Sequence, residues 1–283
     1  MRVLVLGGTG FVGRAIVERL LADGHEPVLF NRGRNDLFPG VENLRGDRYA
    51  GDFAALHAGA WDAVVDVTSY LPRDVEQAMD AVGDKVGRYL FISSHVVFDG
   101  AGPGLRPAVR DAEWPLTNDT YGPSKVACEQ DVTARFGDRA TIVRPCKVAG
   151  PHDTQEGLTH WVRAAARGGE VELAADPRQP IQLVDSRDLA RLVVTLLVED
   201  RGGAYTAAGE RTDFTGLIDT CAAAAGTSVP IRQVPIDYDT PLARHPEAWP
   251  TLHRTPAPEM GELTPLLTTA RDVLAWVTND DDI

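Results

Sequence analysis

Apolar residues run without a break from Val3 to Leu6 and then meet Gly7, Gly10 and Gly13, after which Ala15, Ile16, Leu20 and Leu21 recur at helical spacing. The pattern predicts a strand, a tight turn and a helix, closed by Asp23-Gly24-His25 with a glycine near the C-cap. Later apolar runs predict strands over residues 27–31, 41–46, 61–67, 88–92 and 141–145, and helices over 72–82 and from Tyr121 to about Arg135. Pro123 suits that last helix only within its first turn, where the missing N–H has no partner to lose. Strands alternating with helices in this way imply right-handed crossovers and an α/β fold, a Rossmann-type doubly wound parallel sheet.

Beyond Gly150 the pattern loosens. It predicts helices over 158–167 and 188–198, the latter N-capped by Asp185, and strands near 182–184 and 204–207. The expected layout is a nucleotide-binding domain over 1–150, to which 182–207 returns, and a smaller C-terminal substrate-binding subdomain from 151–181 and 208–283. Proline-rich loops fill 230–265, a last amphipathic helix covers 268–277, and residues 279–282 form a solvated acidic tail. No internal repeat is visible.

Bulk properties narrow the choice of partners. The chain has 283 residues and a formal net charge of −13, which disfavours nucleic acid and anionic membranes as main partners. Its three cysteines, Cys128, Cys146 and Cys221, are widely spaced and suggest neither a disulfide framework nor a metal site. With no signal-peptide core and no apolar stretch of membrane-spanning length, a cytoplasmic protein is expected. Of the 28 basic residues only Lys85, Lys125 and Lys147 are lysine.

The glycine turn matches the demands of a dinucleotide diphosphate: one glycine for the turn, one for close backbone approach, one for helix–strand packing, with the helix N-terminus near Phe11 facing the phosphates. At the end of the second strand, Asn31-Arg32-Gly33-Arg34 offers arginines and no carboxylate, which points to the 2′-phosphate of NADP, with NAD still open. Tyr121 and Lys125 are four residues apart and share a helix face. An ammonium about 4 Å from the phenol supplies roughly the 4 kcal/mol needed to bring a tyrosine from a pKa of about 10 toward neutrality. Ser94, at the end of a strand, offers a hydroxyl for a carbonyl oxygen.

Gly7-Gly-Thr-Gly-Phe-Val-Gly13, Phe91-Ile-Ser-Ser94, Tyr121-x-x-x-Lys125 and Arg144-Pro-x-x-Val-x-Gly-Pro151 together resemble the short-chain dehydrogenase/reductase superfamily, in its extended or atypical epimerase-like branch, over roughly residues 1–225. The resemblance implies Tyr121 as acid/base, Lys125 as its activator and ribose anchor, and Ser94 as the carbonyl-binding hydroxyl. It implies cofactor contacts from Gly7, Thr9, Gly10, Phe11, Val12 and Gly13, from Asn31, Arg32 and Arg34, from Asp47 near the adenine, from Thr68, and from Pro145 and Val148 near the nicotinamide. Lys147 falls where sugar-nucleotide members place a substrate-holding asparagine, and His95 is a further candidate for substrate contact. Ser94 is followed by His95-Val96 and not by two acidic residues, so the acid and base of a dehydratase are missing. The expected activity is that of an NADPH-dependent carbonyl reductase or alcohol dehydrogenase on a small molecule. The alternatives are an NAD-retaining epimerase of a sugar nucleotide or polyol, and a cofactor-sensing or RNA-associated binding protein. Homo-oligomerisation is left open.

Overall fold

The expected first strand, β1 (Arg2–Leu6), has Val3, Leu4 and Val5 at zero exposure, as a strand covered on both faces requires. The computed structural model describes all residues except 34–36, 58, 85, 101, 236–248, 250–252, 281–283 and the side chain of residue 280. Helix α1 (Phe11–Ala22) buries Ile16, Val17 and Leu20 and stops where Gly24 adopts φ +75°, with His25 N donating to the Leu20 carbonyl. Then come β2 (Glu26–Asn31), β3 (Glu42–Arg45), β4 (Ala63–Asp66), α2 (Pro72–Val82), β5 (Arg88–Ile92), α3 (Asn118–Phe136) and β6 (Ala140–Pro145). The six strands pair parallel in the order β6-β5-β4-β1-β2-β3. Strand order therefore reverses between β1 and β4, and ligands of such sheets bind beyond the carboxyl ends at that point.

One boundary differs from expectation. Helix α3 begins at Asn118, so Pro123 sits in its second turn and not its first. The carbonyl that Pro123 cannot serve belongs to Asp119, and Arg106 compensates: its guanidinium donates to the carbonyls of Asn118 (3.2 Å) and Asp119 (3.4 Å). Gly122 leaves room for this, since a Cβ there would lie 2.4 Å from the Val96 carbonyl and 2.9 Å from Arg106 Nη1.

The rest of the chain supplies β7 (Lys147–Ala149), α4 (Gly157–Arg167), β8 (Val171–Leu173), β9 (Pro180–Asp185), α5 (Ser186–Val198), β10 (Gly203–Ala207), β11 (Arg211–Asp213), α6 (Phe214–Ala225), β12 (Ile231–Gln233) and α7 (Leu266–Asp280). Strand β10 joins the large sheet beside β6, making seven strands. Strands β11, β9 and β7 form a three-stranded sheet, and β12 pairs with β8. Two compact units result: Met1–Pro145 with Ala190–Thr206, and Cys146–Leu189 with Ala207–Ile283. Strand β9, expected to return to the first unit, thus lies in the second. There, Asp185 caps α5 by accepting from Arg187 N (2.8 Å). Residues 279 and 280, read as tail, are helical. Among the described residues no helix is long and apolar enough to cross a membrane, and no cluster of His, Cys, Asp or Glu fit to hold a metal occurs. The three cysteines are buried free thiols.

Candidate active site

A cavity of about 280 Å³ opens at the reversal point of the first unit's sheet. Of the residues expected at a cofactor, Gly7, Thr9, Gly10, Asn31, Arg32, Asp47 and Thr68 line it. Phe11, Val12 and Gly13 form the first turn of α1 behind Gly10. Arg34 lies outside the described residues. Arg32 is exposed at the cavity edge, and Asp47 caps the short turn Arg48–Ala50 by accepting from Tyr49 N (3.0 Å).

The three glycines separate by cause. Gly7 has φ +94°, and a Cβ there would meet Thr68 Cγ2 at 2.2 Å. At Gly13 a Cβ would meet the Gly7 carbonyl oxygen at 2.1 Å, so this glycine serves helix–strand packing. Gly10 has φ −83°, and its nearest obstacle is the Gly7 oxygen at 3.6 Å, an ordinary contact. Neither backbone strain nor the protein's own packing demands glycine at position 10. A bare backbone at a helix N-terminus facing a cavity fits the close approach of a diphosphate, so the residues present suit a dinucleotide.

Arg48, which no sequence motif marks, also lines the cavity, with a side chain only 10% exposed. It pairs with Asp66 (3.4 Å) and donates to the hydroxyls of Thr68 and Ser69, the latter at 2.8 Å. Asp66 is fully buried at the end of β4 and also accepts from Tyr89 Oη (2.8 Å). Burial alone would push its carboxyl up, but the Arg48 charge and the hydrogen bonds from Ser69 and Tyr89 hold it below the usual carboxylate range. This network clamps the ends of β3 and β4, and with them the Thr68 side chain that covers Gly7. Leu6, Phe30, Gly46 and Tyr49 complete the lining and were also unforeseen.

Ser94, Tyr121 and Lys125 lie in the same unit. Ser94, 8% exposed just beyond the end of β5, acts on the Tyr121 phenol and also caps the turn that follows it. Burial pushes the Tyr121 phenol above its ordinary value; Tyr70 adds to this and Ser94 opposes it. Burial thus outweighs the neighbouring groups in setting the phenol's pKa. Lys125 is 1% exposed, and its Nζ donates to the carbonyls of Ser69 (2.7 Å) and Ile92 (2.8 Å) beneath the rings of Phe91 (4.4 Å) and Tyr70 (5.1 Å). Burial lowers its pKa to about 8. Two of its three N–H groups thus tie the ends of β4 and β5 together, and one remains beyond these two carbonyls.

His95 Nδ1 donates to the Pro145 carbonyl (3.2 Å), which ties the end of β5 to the end of β6. Lys147 and Val148 lie on β7, in the second unit. Burial lowers the Lys147 pKa against the pull of Asp153, and Nζ sits 5.2 Å over the Trp249 ring. Gly157 makes room for this lysine, since a Cβ there would lie 2.8 Å from Lys147 Cε and 3.1 Å from Asp153 Oδ2.

Comparison with known proteins agrees with this geometry. The model of the NAD dependent epimerase/dehydratase family matches residues 3–65 and 62–208. A 2'-dehydrokanamycin reductase of Streptomyces kanamyceticus is 32% identical over 212 residues, which are 71% of this chain and 59% of that protein. The chloroplast stem-loop binding protein of 41 kDa b of Arabidopsis thaliana is 26% identical over 263 residues, 84% of this chain and 67% of that one. The match thus spans about six-tenths to two-thirds of these relatives. The fold is shared with a Thermus thermophilus UDP-glucose 4-epimerase solved in complex with NAD, at a TM-score of 0.74 and 19% identity, over 99% of this chain and 100% of that one. The chain belongs to the NAD dependent epimerase/dehydratase family and is an NAD(P)-dependent enzyme of the short-chain dehydrogenase/reductase type.

Proposed function

We propose that this enzyme reduces a small carbonyl compound with NADPH, or runs the reverse alcohol oxidation. The observation that carries the reading is the pair of hydroxyls on Ser94 and Tyr121, with the phenol held protonated by burial. A general acid in a reduction must carry its proton before the substrate arrives. Tyr121 then gives that proton to the carbonyl oxygen while Ser94 donates a hydrogen bond to the same oxygen. The nicotinamide supplies the hydride to the carbonyl carbon when the cofactor is bound. Lys125 anchors the site through its two carbonyl acceptors, and its remaining N–H suits a ribose hydroxyl. Arg32, exposed beside Asn31 at the cavity edge, favours a 2′-phosphate and hence NADPH over NADH.

The test is Tyr121→Phe. NADPH consumption with an accepted ketone is expected to fall by about 10²- to 10⁴-fold while NADPH affinity stays within a few-fold. Turnover near the wild-type rate would remove Tyr121 as the acid. A second reading, an epimerase, is supported by the shared fold with an NAD-complexed epimerase. Purified protein would then carry NAD that survives gel filtration, whereas a reductase exchanges its cofactor. A role in RNA binding, suggested by the name of the Arabidopsis relative, runs against the net charge of −13.

A further inference from the structure

Two rings lead from the surface to the proposed proton donor. Trp114, in the segment between β5 and α3, is 63% exposed, whereas Trp61, Trp161 and Trp249 are buried. Its ring lies 5.8 Å from that of Tyr70, tilted by 57°, and Tyr70 lies 6.3 Å from Tyr121, tilted by 40°. The inner end of this ladder is fixed. Ser124 Oγ donates to the Tyr70 carbonyl (2.8 Å), and the Lys125 ammonium stands 5.1 Å over the Tyr70 ring. The outer end presents a large aromatic surface to solvent within two ring contacts of the acid.

Charge near Trp114 narrows what that surface can hold. Asp111 and Glu113 are exposed in the same segment. Its two arginines are already engaged: Arg110 with Glu76 and Asp131, Arg106 with the carbonyls at the start of α3. A substrate carrying a diphosphate would meet these carboxylates, whereas an uncharged ring would gain stacking.

We propose that Trp114 and Tyr70 form the wall against which the substrate lays an apolar ring face, so that the substrates of this enzyme are cyclic ketones without an anionic group, or the matching ring alcohols. This rests on the reductase reading. The wall sets KM and leaves the chemical step to Ser94 and Tyr121.

The experiment compares 2-decalone with its acyclic counterpart 2-decanone, each with NADPH, for the wild type, Trp114→Ala and Trp114→Phe. Binding of both ketones in the presence of NADP is followed separately by saturation-transfer NMR. Trp114 is exposed, and the NADPH affinity of each variant reports that the fold is retained. The wild type is expected to favour the decalone. Trp114→Ala should raise its KM about tenfold with kcat within twofold, leave the decanone unchanged, and be largely rescued by Trp114→Phe. Equal handling of both ketones, or an equal effect of Trp114→Ala on both, overturns the proposal and leaves the reductase reading standing. Ring-selective, Trp114-dependent binding without hydride transfer supports the wall and removes the reductase reading. Failure of the decalone to bind the wild type, or a change on Trp114→Ala in oligomeric state alone, overturns the wall.

Discussion

Gly10 and Gly13 are three residues apart and glycine for different reasons, which gives a test of the cofactor cleft that separates binding from folding. An alanine methyl at position 10 meets nothing closer than 3.6 Å at a backbone φ of −83°, so the protein itself tolerates it. At position 13 the methyl would lie 2.1 Å from the Gly7 oxygen, and backbone must move. Gly10→Ala is therefore expected to change unfolding free energy by no more than about 1 kcal/mol, the scale of an N-cap exchange, while NADPH affinity falls at least tenfold. Gly13→Ala should lower both. Urea unfolding and cofactor fluorescence titration read the two quantities; a Gly10→Ala protein that binds NADPH like the wild type would sink the assignment of this turn to the diphosphate.

Helix α3 carries Tyr121 at the end of its first turn and Lys125 one turn on, so whatever sets its start also sets the site. Arg106 does part of this by donating to the Asn118 carbonyl and to the Asp119 carbonyl, the one that Pro123 leaves without a donor. Arg106→Ala should cost about 1 kcal/mol of stability and speed amide exchange in the first two turns of α3, and it should lower kcat by loosening Tyr121. Unchanged exchange there would mean that solvent replaces the guanidinium at no cost. The start of α3 was not legible in the sequence, because a proline inside a helix becomes acceptable only through an arginine 17 positions away. Elements with a clear apolar period, such as α1, α2, β2 and β5, were legible nearly to the residue. Helix α6 was missed because its run of alanines has no polar face to mark a period, and β7, β8 and β11 because three residues cannot show one. In the site, the glycines, Ser94, Tyr121 and Lys125 could be named from local spacing. Arg48 could not, since its partners Asp66, Thr68 and Ser69 lie 18 to 21 positions onward.

At the scale of the whole molecule, a chain of net charge −13 gains further negative charge as pH rises, and self-repulsion should then erode its stability. Lys125 works in the opposite direction. Burial lowers its pKa from 10.5 to about 8, partly offset by the carboxylates of Asp66 and Glu129 and reinforced by Arg48. Below pH 8 the lysine is charged in both folded and unfolded chains, and the folded protein bears the full cost of burying the ammonium. Between 8 and 10.5 the unfolded chain holds a proton that the folded protein has released, so this residue's contribution to stability improves with pH; above 10.5 both states are neutral and the gain is complete. The burial of Cys128 pushes its thiol up to about 12, and Tyr70 and Tyr121 are raised as well, so these neighbours stay neutral through most of that window. Lys125→Met keeps the volume and removes the titration. Measured by urea unfolding at about pH 7.5, 9 and 10.5, the stability of the wild type relative to Lys125→Met should rise by about 3 kcal/mol across the series. Parallel curves for the two proteins would show that Lys125 is not held against its charge, and its two carbonyl acceptors would then have to be credited with solvating the ammonium as well as water does.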